Sequence, residues 1–406
     1  MKYIETLNYI HSLGKFSHTA SLERITAVCE KLGNPQNDFR AIHIAGTNGK
    51  GSVCTFVSSA LKSAGYKVGT FVSPYITDFC ERIQIGGEHI SHDNLCRLSG
   101  QVIDTGVSLT EFEFITAVGF LYFSENKIDV AVLETGLGGR FDATNVIPVP
   151  LVSVITKIGF DHTAVLGETL SQIAEEKCGI IKGDNVVTSY NQSDEVLSVI
   201  KSHAPNVKFA DTNNLKNIKC SILGNSFTYN NVCCETSLGG NYQIENALIA
   251  IETLKNSGLP INETQMQEGL KNAFIPARFE VASRNPLIVI DGAHNPDGAD
   301  ALCVALKEYN NNTAIIGVMA DKNYQEVLAK TLPFCKNVVC VKPDIPRALE
   351  AENLATVSKR YCKNVFLVDS LQDAVKLAKN KSEDNPIFVF GSLYLASEIR
   401  PLLKDK

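Results

Sequence analysis

The sequence predicts a two-domain α/β protein: a larger N-terminal nucleotide-type domain, then a smaller Rossmann-like one. Three observations carry this. Short β-branched runs alternate with longer segments of helical apolar spacing, the pattern of parallel sheets covered by helices. A Gly-rich stretch, Gly46–Ser52, separates one such strand from one such helix. A second α/β series begins near Pro286, beyond a polar piece flanked by Pro276 and Pro286. The 406 residues leave room for roughly two to three domains of ~150 residues.

In chain order, Ala41–Ala45 reads as a strand, Lys50–Ser63 as a helix and Lys67–Val72 as the next strand. Thr110–Ser124 carries Phe114, Ala117, Val118 and Leu121 at helical spacing. Asp129–Leu133 is an apolar strand ending at Glu134, Leu151–Thr156 is another, and Thr169–Cys178 is a short helix. From about Val186 to Glu235 strand-like pieces mix with Asn-rich turns. Tyr242–Asn256 is helical, with Ala247, Leu248, Ala250, Ile251 and Leu254 on its apolar side. In the second series Leu287–Ile290, Ala314–Val318, Val338–Val341, Val365–Val368 and Ile387–Phe390 are the predicted strands. The expected division is 1–276 and 277–406.

Composition excludes several classes. With 44% hydrophobic and 20% charged residues, the chain is not disordered, collagenous or coiled-coil. A net charge of −6 argues against nucleic acid as a partner. The 12 cysteines include no CxxC, so buried reduced thiols are expected and a zinc site is not. No apolar run spans a membrane, and Met1–Ile10 does not resemble a signal peptide, so the cytoplasm is the expected location. Any anionic ligand must be held by local devices.

Four segments carry chemistry. The loop Gly46–Ser52 follows a strand and opens a helix, so successive backbone N–H groups and the helix dipole can cradle phosphate oxygens. Lys50 would reach the β/γ-phosphates and Ser52 a phosphate or Mg²⁺. The loop departs from GxxxxGK[ST], because position 44 is Ile44 and Gly51 separates Lys50 from Ser52. Glu134 ends a strand where α/β sheets place ligand-contacting groups, and a carboxylate beside a phosphate loop suits Mg²⁺. Three glycines follow it closely. Lys157–His162 again follows a strand. Asp291–Gly298 opens the C-terminal domain, where Asn295 and Pro296 suit a helix start. No GxGxxG is present, which disfavours a dinucleotide.

Together these segments resemble the folylpolyglutamate synthase/dihydrofolate synthase family of ATP-dependent amide ligases, relatives of the Mur ligases. The matching strings, in order, are GTNGKGS at 46, SP at 73–74, ERI at 81–83, TEFEFITA at 110–117 and ETGLGGRFDATN at 134–145. They continue with IGFDHTAVLGETLSQIAEEKCGIIK at 158–182, GGNYQIENA at 239–247, PARFE at 276–280, DGAHNPDG at 291–298, GVMADKNY at 317–324 and FGSLYLASEIR at 390–400. The regions 186–235 and 341–385 do not contribute. Tyr75, Ala277 and Tyr242 depart from the family's usual residues.

The resemblance implies an N-terminal P-loop ATP-binding domain of Mur-ligase type and a C-terminal Rossmann-like glutamate-ligase domain, with the active site between them. Thr47, Asn48, Gly49, Lys50, Gly51 and Ser52 would bind the ATP phosphates. Asn246, Arg278 and Asp291 would contact the nucleotide. Ser73, Glu134 and His162 would hold Mg²⁺, as a pair of ions, and a monovalent cation is also implied. Lys177 matches a lysine that the family carbamylates, and Lys50, Lys177 and His294 are the catalytic candidates. Thr110, Glu111, Phe112, Glu113, Phe141 and Asp142 lie where the family binds the pterin end of its substrate. Ser392, with His294, matches residues near the incoming glutamate. The expected partners are ATP, L-glutamate and folate or dihydropteroate, and the expected state is a monomer. The near alternative is a Mur-type ligase acting on a peptidoglycan precursor. The more distant one is a P-loop kinase or switch, which needs no second domain bearing DGAHNPDG.

Overall fold

The computed structural model describes residues 2–14, 21–189, 191–309 and 311–403. The chain divides into two compact units. One comprises Met1–Lys216, Thr228–Cys234 and Glu245–Ala273, and the other Asn217–Phe227, Glu235–Ile244 and Phe274–Lys406.

The first unit is built on eight strands: β1 (Arg40–Ala45), β2 (Val68–Phe71), β3 (Ile83–Ile85), β4 (Glu88–His89), β5 (Val130–Glu134), β6 (Val152–Ile155), β7 (Val186–Ser189) and β8 (Lys208–Ala210). Their order is β4-β3-β2-β5-β1-β6-β7-β8. The run from β2 to β8 is parallel, and β3 and β4 add an antiparallel edge. Every residue of β2, β5, β6 and β7 is buried, as befits strands with helices on both faces. Two glycines show how closely the layers fit. A Cβ on Gly69 would meet Phe123 and Ile128 at 2.8 Å or less, and one on Gly119 would lie 3.1 Å from the Phe71 ring. Phe71, Phe114, Phe120 and Phe123 fill this core, where truncating a phenylalanine to alanine costs about 3–5 kcal/mol.

Three further strands, β9 (Leu215–Ser221), β10 (Gly224–Tyr229) and β11 (Val232–Thr236), form a sheet in the order β11-β10-β9. They occupy the stretch the sequence left as mixed strands and turns.

The second unit's sheet contains β12 (Glu280–Arg284), β13 (Leu287–Ile290), β14 (Asn312–Ile316), β15 (Cys335–Cys340), β16 (Asn364–Leu367) and β17 (Ile387–Phe390), in the order β12-β13-β17-β14-β15-β16. All pairs are parallel except β12 with β13. Strand β14 starts two residues before the apolar pattern does. Asn312 and Thr313 are buried strand residues, and Asn312 Nδ2 donates to the carbonyls of Leu306, Tyr309 and Phe334. A buried amide so well satisfied is tolerated, but it hides the strand from a hydropathy reading.

The helices start where their caps dictate. Ser91, Thr110, Thr169, Ser193, Asn262, Asn295 and Ser370 each accept a hydrogen bond from the backbone N–H three residues on. No helix among the described residues is long and apolar enough to cross a membrane.

Candidate active site

Strands β2, β5, β1 and β6 are neighbours, and their parallel registers bring four separated segments to one edge of the sheet. Ser73 follows β2, Glu134 ends β5, Gly46 follows β1 and Lys157 follows β6. Ligands of α/β sheets bind outside such carboxyl ends.

The loop after β1 is pinned before its helix begins. Thr47 N and Asn48 N donate to Lys157 O at 2.9 and 3.1 Å, and Thr47 Oγ1 donates to Gly159 O at 3.0 Å. Gly46 and Gly49 cannot carry side chains here. A Cβ on Gly46 would lie 1.9 Å from Thr156 Oγ1, and one on Gly49 would lie 2.3 Å from Asn246 Oδ1. Gly49 also has φ +90°, a conformation glycine adopts freely. It caps the helix Lys50–Ser63 without a side chain, so the first-turn N–H groups stay available to a ligand. Asn246, expected at the nucleotide, packs on this loop.

Glu134 is buried, and its Oε2 accepts from Ser73 N at 3.0 Å. The same oxygen is 3.5 Å from where a Cβ on Gly51 would sit, so the carboxylate faces the loop. Lys50 Nζ donates to Gly46 O at 3.0 Å and to Thr47 O at 3.2 Å. Lys177 is buried, and its Nζ also donates to Gly46 O, at 2.8 Å. Two ammonium groups thus converge on one carbonyl oxygen. Burial first, and Lys50 second, pull the Lys177 pKa down to about 8.

His162 is more loosely placed. It has φ +48°, its side chain is 56% exposed, and it faces Asp161 at 3.6 Å. Ser52 is buried in the first turn of the helix.

The segments expected at the pterin are organised largely by their own hydrogen bonds. Thr110 and Glu113 form a capping box, and Glu113 Oε2 accepts from both the N–H and the hydroxyl of Thr110. Arg24 then grips Glu113 with two bonds, Nε to Oε2 at 3.0 Å and Nη2 to Oε1 at 2.8 Å. Glu111 faces His11 at 3.7 Å. Asp142 is buried and takes N–H bonds from Gly136, Leu137 and Thr144, plus the Thr144 hydroxyl. Its carboxylate shapes the glycine-rich turn, although burial still raises its pKa. Thr144 Oγ1 in turn meets His43 Nε2 at 2.8 Å, and burial drives that histidine's pKa down to about 3. Phe112 lies edge-on to Phe71, with its ring against Gly136, whereas Phe141 is exposed.

Sequence reasoning missed two arginines. Arg24 gave no local signal, since its partner is 89 residues away. Arg82, in the ERI string, lies over the rings of Tyr75 and Phe79 at 5.2 and 5.3 Å. Its Nε is buried and finds no hydrogen-bond partner among the described residues, and burial lowers its pKa against the pull of Glu111, Tyr75 and Glu134. An apolar sandwich around an incompletely satisfied guanidinium is the one signal that marks it.

In the second unit, β13 and β17 are neighbours, and Asp291 and Ser392 follow their ends. Asp291 is buried and accepts from Phe279 N at 3.0 Å and Ala293 N at 2.8 Å. Burial raises its pKa and the nearby Arg278 opposes this. Asp291 therefore braces the turn Ala277–Glu280, in which Ala277 and Phe279 both have positive φ. His294 Nδ1 faces Gly292 O at 2.8 Å. Only a protonated Nδ1 can bond a carbonyl, so in the neutral ring Nε2 is the acceptor. Burial, then Arg278, Lys322 and Arg347, favour that neutral ring. Ser392 Oγ accepts from Leu395 N at 3.0 Å, capping the helix Leu393–Leu403.

A glycine-rich loop at a helix start, backed by a buried carboxylate, thus occupies the carboxyl edge of the sheet. Residues 44–254 match the Mur ligase middle domain and residues 277–393 the Mur ligase glutamate ligase domain, which makes this a Mur-type ATP-dependent ligase. The folylpolyglutamate synthase of Lacticaseibacillus casei is 38% identical, with 99% of each chain covered. The dihydrofolate synthase/folylpolyglutamate synthase of Bacillus subtilis is 37% identical, again with 99% of each covered. The solved Mycobacterium tuberculosis folylpolyglutamate synthase, complexed with ADP and AMPPCP, superposes with a TM-score of 0.85 at 28% identity over the full length of both chains. The chain belongs to the folylpolyglutamate synthase/dihydrofolate synthase family.

Proposed function

We propose that this chain joins the α-amine of L-glutamate to a carboxylate of a folate-type acceptor at the expense of ATP, and that it accepts both dihydropteroate and folates already bearing glutamate. The observation that supports this best is Lys50 at the start of the Lys50–Ser63 helix, its Nζ held on the loop carbonyls of Gly46 and Thr47, with the Glu134 carboxylate facing the same loop. A cation at a helix N-terminus favours a polyphosphate. In this reading residues 1–276 bind ATP and folate, residues 277–406 bind glutamate, and the enzyme works as a cytoplasmic monomer.

The reaction has two displacements. An acceptor carboxylate oxygen attacks the γ-phosphorus of ATP, the bond to the β,γ-bridging oxygen breaks, and ADP leaves. The glutamate amine then attacks the acyl carbon of the resulting acyl phosphate, a C–N bond forms, the C–O bond breaks and phosphate leaves. Lys50 and the first-turn N–H groups neutralise and orient the phosphates, which in such chemistry is most of the catalysis. Thr47 and Asn48 fix the loop through Lys157, and Asn246 supports it at Gly49. Arg278 contacts the nucleotide, and Asp291 positions it. His294, through Nε2, accepts the proton of the attacking amine, and Ser392 holds the turn beside it. Arg82 receives the carboxylate of the acceptor, and Phe112 and Phe141 pack the pterin.

The donor set suits a hard divalent cation: a buried carboxylate, Glu134, faces the phosphate loop with Ser73 next to it. Glu134, Ser73 and His162 would hold Mg²⁺, as a pair of ions, which supplies charge neutralisation for bound phosphate. Lys177 is suited to carbamylation. Burial and the neighbouring Lys50 hold its pKa below the ordinary lysine value, which favours the neutral nucleophilic amine. A monovalent cation is the remaining expectation of the family resemblance. The decisive experiment measures ADP release with dihydropteroate and with tetrahydrofolate, each with and without glutamate. Release that requires glutamate and either acceptor is expected, and equal release without both would overturn the reading.

A further inference from the structure

The loop that begins at Ser73 leads to a second cluster with different chemistry. Asp78, Cys80 and His92 each present one potential ligand atom, and these atoms all lie within 4.8 Å of one another. Among the described residues this is the one such group. It joins two segments. Asp78 caps the short turn Phe79–Arg82, which contains Cys80, and His92 opens the helix His92–Asp104.

We propose that Asp78, Cys80 and His92 bind a zinc-class divalent ion. Sequence reasoning does not reach this, because the spacing follows no paired-cysteine pattern. The donors are a thiol, an imidazole and a carboxylate, a set that suits Zn²⁺ and not Mg²⁺. Asp78 Oδ2 and His92 Nε2 are 3.4 Å apart, long for a hydrogen bond between charged groups. It matches the roughly 3.3 Å between two nitrogen or oxygen ligands around a tetrahedral zinc.

The surroundings already hold the ligands in place. The Tyr3 ring stacks on His92 at 3.6 Å with 7° between the planes, which fixes the imidazole. The Tyr3 hydroxyl donates to Asp78 Oδ1 at 3.2 Å, and Cys80 N donates to the same oxygen at 2.7 Å. Oδ2 is thereby left toward the cluster. Such outer partners are what orient metal ligands. The ion has an approach from solvent, since the His92 and Asp78 side chains are 53% and 40% exposed, while Cys80 is buried. Burial pushes the Cys80 thiol up to about 12, so binding displaces its proton. Three protein ligands leave one position open.

Occupancy would tie the first helix, the Phe79–Arg82 turn and the His92 helix together. It would thereby fix the Tyr75–Phe79–Arg82 stack. The experiment uses the full chain, reduced and stripped of metal, titrated with cobalt(II) chloride and read by absorption. One equivalent of cobalt should produce a thiolate-to-cobalt charge-transfer band with tetrahedral visible bands, and zinc should bleach both. Cys80→Ser should remove the charge-transfer band. His92→Ala, a change at an exposed helix start, should weaken binding roughly tenfold or more, and Cys233→Ser, an exposed thiol elsewhere, should change nothing. Circular dichroism checks that each variant is folded. Absence of the band in the wild type, its survival in Cys80→Ser, or unchanged affinity in His92→Ala would each overturn the proposal.

Discussion

The carboxyl edges of the two sheets carry similar inventories of polar residues and use them differently. At the edge of β2-β5-β1-β6 charge is concentrated: Lys50 and Lys177 share one carbonyl oxygen, and Glu134 is buried against the loop. At the edge of β13-β17 the polar groups are committed to backbone. Asp291 holds Phe279 N and Ala293 N, and Ser392 holds Leu395 N. What is left over there is His294 Nε2 and the Arg278 guanidinium. In the proposed reading the first edge receives anions and the second is a frame that presents two groups. A polar residue near a site is informative only once its hydrogen bonds have been counted.

The contrast breaks first at Lys50. If the first edge is an anion receptor, Lys50→Ala should lower kcat for ADP release by about a thousandfold, the upper range for losing one preorganised charge-stabilising donor. Stability should change little, because the lysine bonds only carbonyls of its own loop. Urea unfolding read alongside the assay checks this, and a variant that turns over normally would remove the receptor reading.

Lys177 tests the same edge more gently. Its folded pKa, about 8, lies below the unfolded value near 10.5. Between those values the unfolded chain binds more protons, so stability rises with pH through that window, and the full penalty applies below it. The penalty is on the order of 3 kcal/mol. Lys177→Met should therefore be the more stable protein at pH 7.5 in carbon-dioxide-free buffer. Its margin should shrink as pH rises toward 10. Unfolding curves that keep a constant offset across that range would contradict the lowered pKa that burial, and Lys50 second, impose on Lys177.

Much of this was legible in the sequence, for local reasons. The helix Lys50–Ser63 and the strands β1, β5, β6, β13 and β17 follow from hydropathy period and from the glycines that precede or follow them. The order β2-β5-β1-β6 is what assembles Ser73, Glu134, Gly46 and Lys157, and no single segment encodes it. Lys177 lies 131 residues from Gly46 and Arg24 lies 89 from Glu113, so both contacts belong to the tertiary fold. Other local roles were also legible. Thr110-x-x-Glu113 is a capping-box pattern in plain view. It gives both side chains a structural role beside the expected one. Asp142 sits two residues before Thr144 in a turn, a position from which a carboxylate commonly bonds the backbone.

Ser392 provides the smallest and sharpest test, because at this position a frame residue and a substrate contact predict different things. Ser392→Ala removes the cap of the helix Leu393–Leu403 and leaves a buried N–H, which should cost about 1 kcal/mol. Ser392→Gly also lacks the hydroxyl, yet glycine at an N-cap gives up only a few tenths of a kcal/mol, because it lets water or a relaxed backbone reach the N–H. If the hydroxyl acts through the helix, glycine should restore most of the stability and keep the KM for glutamate within about threefold of wild type, a factor worth less than one hydrogen bond. If the hydroxyl touched glutamate, both variants would raise that KM together, whatever their stability. Thermal unfolding and glutamate titrations on the two proteins decide it, and a KM that rises equally in both would move Ser392 from the frame into the binding site.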